Sequence, residues 1–218
     1  MDSPSTPQPA AFELLHPAVQ RRLWDMQWTS LRPLQVSGIR EILTTRRHVI
    51  LAAPTAAGKT EAAFLPILSA IADEAEGSVR AIYVGPLKAL INDQFQRLGD
   101  LCVHLQMPVH SWHGDIGASK KAKLIAEPGG VLLITPESIE SLFVNRSSHL
   151  RKVFAGLRFI VIDELHTFLD NERGLHLRSL LTRLIAKTEN PEGVRVVGLS
   201  ATIGDLLVAK RYLAPNAP

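Results

Sequence analysis

One cysteine, Cys102, stands in 218 residues. That excludes an intrachain disulfide and any zinc site built on paired thiolates, and nothing suggests an oxidising compartment. The eight histidines show no zinc-ligand spacing either. No apolar run approaches the ~18 residues needed to cross a bilayer, so no membrane partner is expected. The opening MDSPSTPQPA carries Asp2 and three prolines where a secretion signal would be basic and then apolar. A cytoplasmic setting is therefore expected. Neither sign of charge dominates, since the net charge is +3. Such a mildly basic chain is compatible with a polyanionic partner without pointing to one.

What is present is an ordinary globular composition, 46% hydrophobic and 21% charged, long enough for a full core. Residues 1–10 read as a disordered tail. Residues 11–48 read as amino-terminal helices, FELLHPAVQRRLWDM and RPLQVSGIREIL, with Pro33 near the first turn of the second. From residue 49 to 213 short apolar strands alternate with helices: HVILAA, VRAIYVG, VLLIT, FIVID and VRVVGLSAT each lead into one. Strands this uniformly apolar are covered on both faces, which predicts an α/β fold with a mostly parallel central sheet flanked by helices. Ligands of such sheets sit at the carboxyl ends of the strands.

Two strand ends carry chemistry. APTAAGKT, residues 53–60, follows a strand and opens a helix. Gly58 allows close approach of phosphate, the amides around Ala57 to Thr60 are expected at a helix N-terminus that favours an anion, and Thr55 and Ala56 join them as nucleotide-binding residues of the loop. Lys59 supplies a point charge for the outer phosphates and Thr60 a hydroxyl for Mg²⁺. Ala56 and Ala57 lack glycine's freedom at positive φ, so right-handed or extended backbone is expected there. In FIVIDELH, Asp163 and Glu164 follow a buried strand, where adjacent acids are costly unless a cation awaits them. Asp163 can hold Mg²⁺ through water and Glu164 can orient and deprotonate an attacking water. Each stretch alone also fits a plainer reading, a strand-turn-helix or a solvated acidic turn.

Gly58-Lys59-Thr60, Asp163-Glu164-Leu165-His166 and Ser200-Ala201-Thr202 resemble motifs I, II and III of superfamily 2 DExH helicases, in that order. PLKALINDQ resembles motif Ia and ITPES motif Ib. PLKAL, HGD at 113–115, DELHTF, RGLHL and SATIGD look most like the large helicase-related, Lhr-type proteins. The resemblance implies a RecA-like three-layer sandwich, binding of ATP with Mg²⁺, and catalysis by Lys59, Asp163 and Glu164. It also implies that Ser200, Thr202 and His166 couple the nucleotide site to domain movement and nucleic acid.

Gln35, in RPLQ, resembles the glutamine that reads adenine, its amide both donating and accepting. A surface helix glutamine is the alternative. Trp24 and Trp28 are assigned to packing of the amino-terminal helices ahead of base stacking. Pro86, Leu87, Lys88, Thr135, Pro136 and Glu137 open helices after their strands, where amides and hydroxyls suit phosphate oxygens, though ordinary helix starts look the same. Few aromatics lie among these positions, so backbone contact is expected over base stacking. Single-stranded nucleic acid is the implied partner, DNA ahead of RNA, although backbone contacts carry no such label.

The motifs end near motif III, and no second RecA-like domain with motifs IV to VI follows. The chain is thus expected to be the first motor domain of a longer parent, partnered by that second domain. Alone, it is expected to bind nucleotide weakly and hydrolyse it negligibly. The alternative is a nucleotide-sensing or scaffolding module of a larger assembly.

Overall fold

A computed structural model describes residues 10–54, 56–74, 76–202 and 204–213. Residues 1–9 of the expected tail and Thr55 of the glycine-lysine loop therefore lie outside the described residues, whereas Ala10 caps the first turn. The amino-terminal helices are α1 (Pro17–Asp25) and α2 (Pro33–Thr44). There follow β1 (Val49–Ala52), α3 (Lys59–Ala70), β2 (Ala81–Val84), α4 (Lys88–Leu101), β3 (Val109–Trp112) and α5 (Ala118–Ala126). The chain continues with β4 (Val131–Ile134), α6 (Pro136–Asn145), α7 (Leu150–Phe154), β5 (Phe159–Ile162), α8 (Glu172–Ile185), β6 (Arg195–Ser200) and α9 (Leu206–Leu213).

The first expected helix is interrupted. Residues Ala11–Leu14 form a 3₁₀ turn, and α1 starts only at Pro17. Proline has no N–H to continue a helix through it and drives the preceding residue out of the helical region. His16 accordingly sits at φ −58°, ψ 140°, and its ring nitrogen accepts from the Ala18 amide at 3.2 Å, capping the new helix.

The six strands form one sheet in the order β1-β6-β5-β2-β4-β3, every neighbouring pair parallel. β2, β4 and β5 are buried at every position, because helices cover both faces. One face carries the core of α1 to α4 and the other that of α5 to α9, giving three layers. Strand β3 is an addition to the five expected. It is an edge strand, only half-buried through His110 and Ser111, so its sequence VHSW lacks the apolar run that marks the others.

A glycine and a proline shape the contact of α2 with α3. Pro66 lies inside α3 and has no N–H for the carbonyl of Ala62 one turn earlier. Gly38 of α2 packs onto that carbonyl, so closely that a Cβ there would lie 2.4 Å from the Ala62 oxygen. The packing of α2 on α3 holds the amino-terminal helices beside the carboxyl end of β1.

Candidate nucleotide site and strand face

The loop between β1 and α3 turns through two left-handed residues, Ala56 at φ 66° and Gly58 at φ 78°. The expectation that the alanines avoid positive φ fails at Ala56. A bond from a distant residue offsets the steric cost there, since the guanidinium of Arg32 donates to the Ala56 carbonyl. Within the loop, the Ala57 amide donates to the Pro54 carbonyl at 3.2 Å. Lys59 Nζ donates to the carbonyls of Ala53 at 2.9 Å and Pro54 at 3.2 Å. Gly58 is required twice, for its φ and because a Cβ would come within 2.8 Å of the Gln35 amide nitrogen.

Gln35 is buried at the start of α2, and its Oε1 accepts from the Arg32 amide at 2.9 Å. One glutamine therefore shapes the turn that brings Arg32 to the loop and abuts Gly58 directly. The two tryptophans part company. Trp28 packs on the core and lines the cleft, whereas Trp24 is 80% exposed, contrary to its assignment to helix packing.

Asp163 emerges from β5 and is buried. Its amide continues the ladder to the Val84 carbonyl at 2.9 Å. Oδ1 accepts from the Glu164 amide at 2.8 Å, and Oδ2 accepts from the hydroxyl of Tyr83. Burial, and next the Asp163 charge, push the Tyr83 hydroxyl far above the ordinary tyrosine range, so it stays a donor. Glu164 takes φ 46°, and its carbonyl caps the following 3₁₀ turn, Leu165–Phe168, by accepting from Thr167 N and Oγ1, both at 2.8 Å. His166 Nδ1 lies 3.4 Å from Glu164 Oε2 and 3.1 Å from Ser200 Oγ at the end of β6. Ser200 Oγ also donates to the Thr202 carbonyl at 2.5 Å.

Gln35, Gly58, Lys59, Thr60, Asp163 and Glu164 line one cleft of about 700 Å³ at the carboxyl end of the sheet. The chemistry of this set fits a magnesium nucleotide. Mg²⁺ takes one or two carboxylates and leaves the other positions to phosphate, hydroxyl and water. Asp163 and Thr60 match that demand, and no group of three or more His, Cys, Asp or Glu suited to a metal occurs among the described residues. The far wall adds residues not singled out in the sequence. Glu61 pairs with Arg97 of α4, and Gln94 sits beside them. Glu61 Oε2 and Gln94 Oε1 are buried with no protein partner among the described residues. Thr29 and Ser30 line the cleft from the linker before α2.

A second group of residues lies beside this cleft, after the adjacent strands β2 and β4. Leu87, Lys88 and Glu137 are exposed, while the side chains of Pro86, Thr135 and Pro136 are buried. The Thr135 hydroxyl donates to Ser138 Oγ at 3.0 Å. Lys88 Nζ pairs with Asp115 at 2.8 Å, and that pairing, first as a hydrogen bond and then as a charge, holds the Asp115 carboxyl below its usual range. Burial alone would raise the Glu137 carboxyl, but its backbone hydrogen bond and Arg173 together outweigh burial and lower it. Arg173 joins the loops, donating to Glu137 Oε1 at 2.8 Å and to the Pro86 carbonyl at 2.7 Å. Elsewhere Cys102 is buried as a small apolar side chain, its thiol pushed up to about 12.

Comparisons with known proteins show the family and the fold. A model of the DEAD/DEAH box helicase family matches residues 32–208. The ATP-dependent helicase Lhr-Core of Methanothermobacter thermautotrophicus is 32% identical over 92% of this chain and 24% of its own length. The Lhr helicase/uracil glycosylase of Escherichia coli is 30% identical over 78% of this chain and 12% of its own. Among solved structures, Mycobacterium smegmatis helicase Lhr bound to ssDNA and AMP-PNP superposes with a TM-score of 0.83 at 26% identity. That match covers 96% of this chain and 28% of the other, and it makes the fold RecA-like. The chain thus spans 12% to 28% of the length of these relatives. The chain is similar to Lhr-type helicases over most of its length, and it belongs to the DEAD/DEAH box helicase family.

Proposed function

We propose that these 218 residues are the ATP-binding first motor domain of an Lhr-like, nucleic-acid-dependent ATPase that acts as a helicase or translocase. The observation that carries this reading is the meeting of Lys59, Thr60, Asp163, Glu164 and Gln35 in one cleft at the carboxyl end of the sheet.

Adenine lies toward Gln35, whose buried amide faces Gly58. The phosphates lie over the amides of Ala56 to Thr60 at the N-terminus of α3, where the helix dipole favours an anion. Lys59 exchanges its bonds to the Ala53 and Pro54 carbonyls for phosphate oxygens. With only one wall of the site, the domain alone holds nucleotide weakly and hydrolyses it negligibly. Thr60 and Asp163 would hold Mg²⁺, which would neutralise charge developing on the phosphates. Glu164 orients the attacking water and takes its proton. An arginine from a second RecA-like domain of the same parent supplies the remaining charge, and an arginine of this kind is worth ~10³-fold or more in phosphoryl transfer.

The strand lies across the loops after β2 and β4, met by Leu87, Lys88 and the backbone amides near Thr135, Pro136 and Glu137. Single-stranded DNA is favoured over RNA, because the Mycobacterium smegmatis Lhr was captured with ssDNA. Lys59→Ala and Glu164→Gln in the full parent protein should each lower ssDNA-stimulated ATPase by about 100-fold or more. Normal turnover by either variant would overturn the site.

A further inference from the structure

Tyr83 is a polar residue in a strand, AIYV, that is otherwise apolar and has no exposed position. A buried tyrosine needs a partner for its hydroxyl. In this chain the partner is Asp163, eighty residues away in sequence. The ring itself has little freedom. It packs on Phe64 of α3 with centroids 6.2 Å apart, and a Cβ on Gly85 would lie 3.1 Å from its edge. Tyr83 thus links the helix that carries the phosphate loop to the acid at the end of β5.

The link fixes the carboxylate in space. Glu164 N holds Oδ1 at 2.8 Å and Tyr83 holds Oδ2, so rotation about the final bond of the side chain would break both contacts. A carboxylate oxygen has two lone pairs, and each keeps one free for a metal-bound water. Neighbours of a metal-binding carboxylate that fix it in this way typically change metal affinity by about 10- to 100-fold.

We propose that Tyr83 is a positioning residue for Asp163, and that its hydroxyl sets how tightly the domain takes Mg²⁺ with the nucleotide without touching nucleotide or metal. The proposal rests on the reading of Asp163 as the magnesium carboxylate. It distinguishes Tyr83 from an ordinary core aromatic, whose hydroxyl could be removed with no change in metal dependence.

The test is ADP binding by the 218-residue chain, measured calorimetrically in EDTA and then across a Mg²⁺ titration. Tyr83→Phe is expected to bind ADP in EDTA within about twofold of the unaltered chain and to need roughly tenfold more Mg²⁺ to reach its midpoint. An unchanged midpoint in a folded Tyr83→Phe chain, while Asp163→Asn abolishes the Mg²⁺ effect, overturns the role of Tyr83 alone. Absence of any Mg²⁺ effect in the unaltered chain overturns the magnesium reading and the role of Tyr83 with it. Should Tyr83→Phe not fold, Gly85→Ala in an Ile91→Ala background, compared with Ile91→Ala alone, takes its place, since the added methyl would meet Ile91 at 3.0 Å and the Tyr83 ring at 3.1 Å in the unaltered chain. A midpoint raised several-fold then supports the proposal, and an unchanged one overturns it.

Discussion

His166 donates from Nδ1 to Ser200 Oγ across 3.1 Å, tying the turn after β5 to the end of β6. The direction follows from the hydroxyl's single proton, which Ser200 gives to the Thr202 carbonyl at 2.5 Å. The serine can then only accept from the ring, which assigns the histidine proton to Nδ1. Glu164, Oε2 of which lies 3.4 Å from the same nitrogen, therefore shares a donor with Ser200. Loss of the serine hydroxyl leaves that donor to Glu164 alone. Ser200→Ala in the full parent protein should keep basal ATPase within a few-fold and lose about tenfold of the stimulation by ssDNA, roughly one hydrogen bond to a charged or polar group. ATPase rates with and without ssDNA check it.

Arg173 reaches three elements from the first turn of α8. It binds Glu137 at the start of α6 and the Pro86 carbonyl before α4, and its guanidinium lies 5.4 Å from the Phe168 ring in the turn after Glu164. His176 repeats the tie between α8 and α6 through Glu140 at 2.8 Å. Both partners of the Arg173 pair are partly exposed, so the charge itself contributes little; registration of the two loops is the larger effect. Arg173→Ala should weaken ssDNA binding by the 218-residue chain roughly fivefold, about 1 kcal/mol, with ADP affinity unchanged. Fluorescence anisotropy with a labelled strand measures the first and calorimetry the second.

Acid should destabilise the fold through His110. Burial in β3, and then the nearby Lys123 charge, lower its pKa from the ordinary 6.5, and its Nε2 is enclosed with no partner among the described residues. The folded state thus binds the proton less readily than the unfolded chain does. Stability from this group is complete above about pH 6.5 and falls as pH drops below it, by at most about 1.4 kcal/mol per pH unit. The loss levels off once pH passes beneath the lowered folded value. Thermal melts from pH 8 to 5 should show His110→Gln losing less stability on acidification than the unaltered chain.

Much of this was readable because buried parallel strands are apolar at every position, which exposes β2, β4 and β5 and fixes where Gly58-Lys59-Thr60 and Asp163-Glu164 must emerge. Strand β3 was not, since an edge strand needs only half its side chains buried and VHSW carries two polar ones. Contacts between distant residues were equally silent. Ala56 reaches positive φ with a bond from Arg32, the Tyr83 hydroxyl meets Asp163, and Arg173 closes on Pro86, none of them at a spacing that a local pattern records. Local chemistry showed which residues were unusual, and topology decided which of them meet.

Gly38 shows how a backbone contact can control the site from outside it. Pro66 deprives the Ala62 carbonyl of its helical donor, and the bare Cα of Gly38 fills the space over that oxygen. Alanine at 38 would place its Cβ 2.4 Å from the Ala62 oxygen, a backbone atom that cannot swing aside as a side chain would. Relief requires α2 to move away from α3. Overpacking of this kind costs about 1–3 kcal/mol, and each kcal/mol lowers Tm by roughly 2–4 °C in a domain of this size. The displacement would also shift Gln35, which lies one turn earlier on α2 against Gly58. Gly38→Ala should therefore lower Tm by roughly 3–10 °C and weaken ADP binding together. Gly99→Ala, at a helical glycine whose added Cβ meets nothing within 4 Å, should lower neither, so a melt and an ADP titration on both variants separate a helix-packing effect from the general effect of an added methyl.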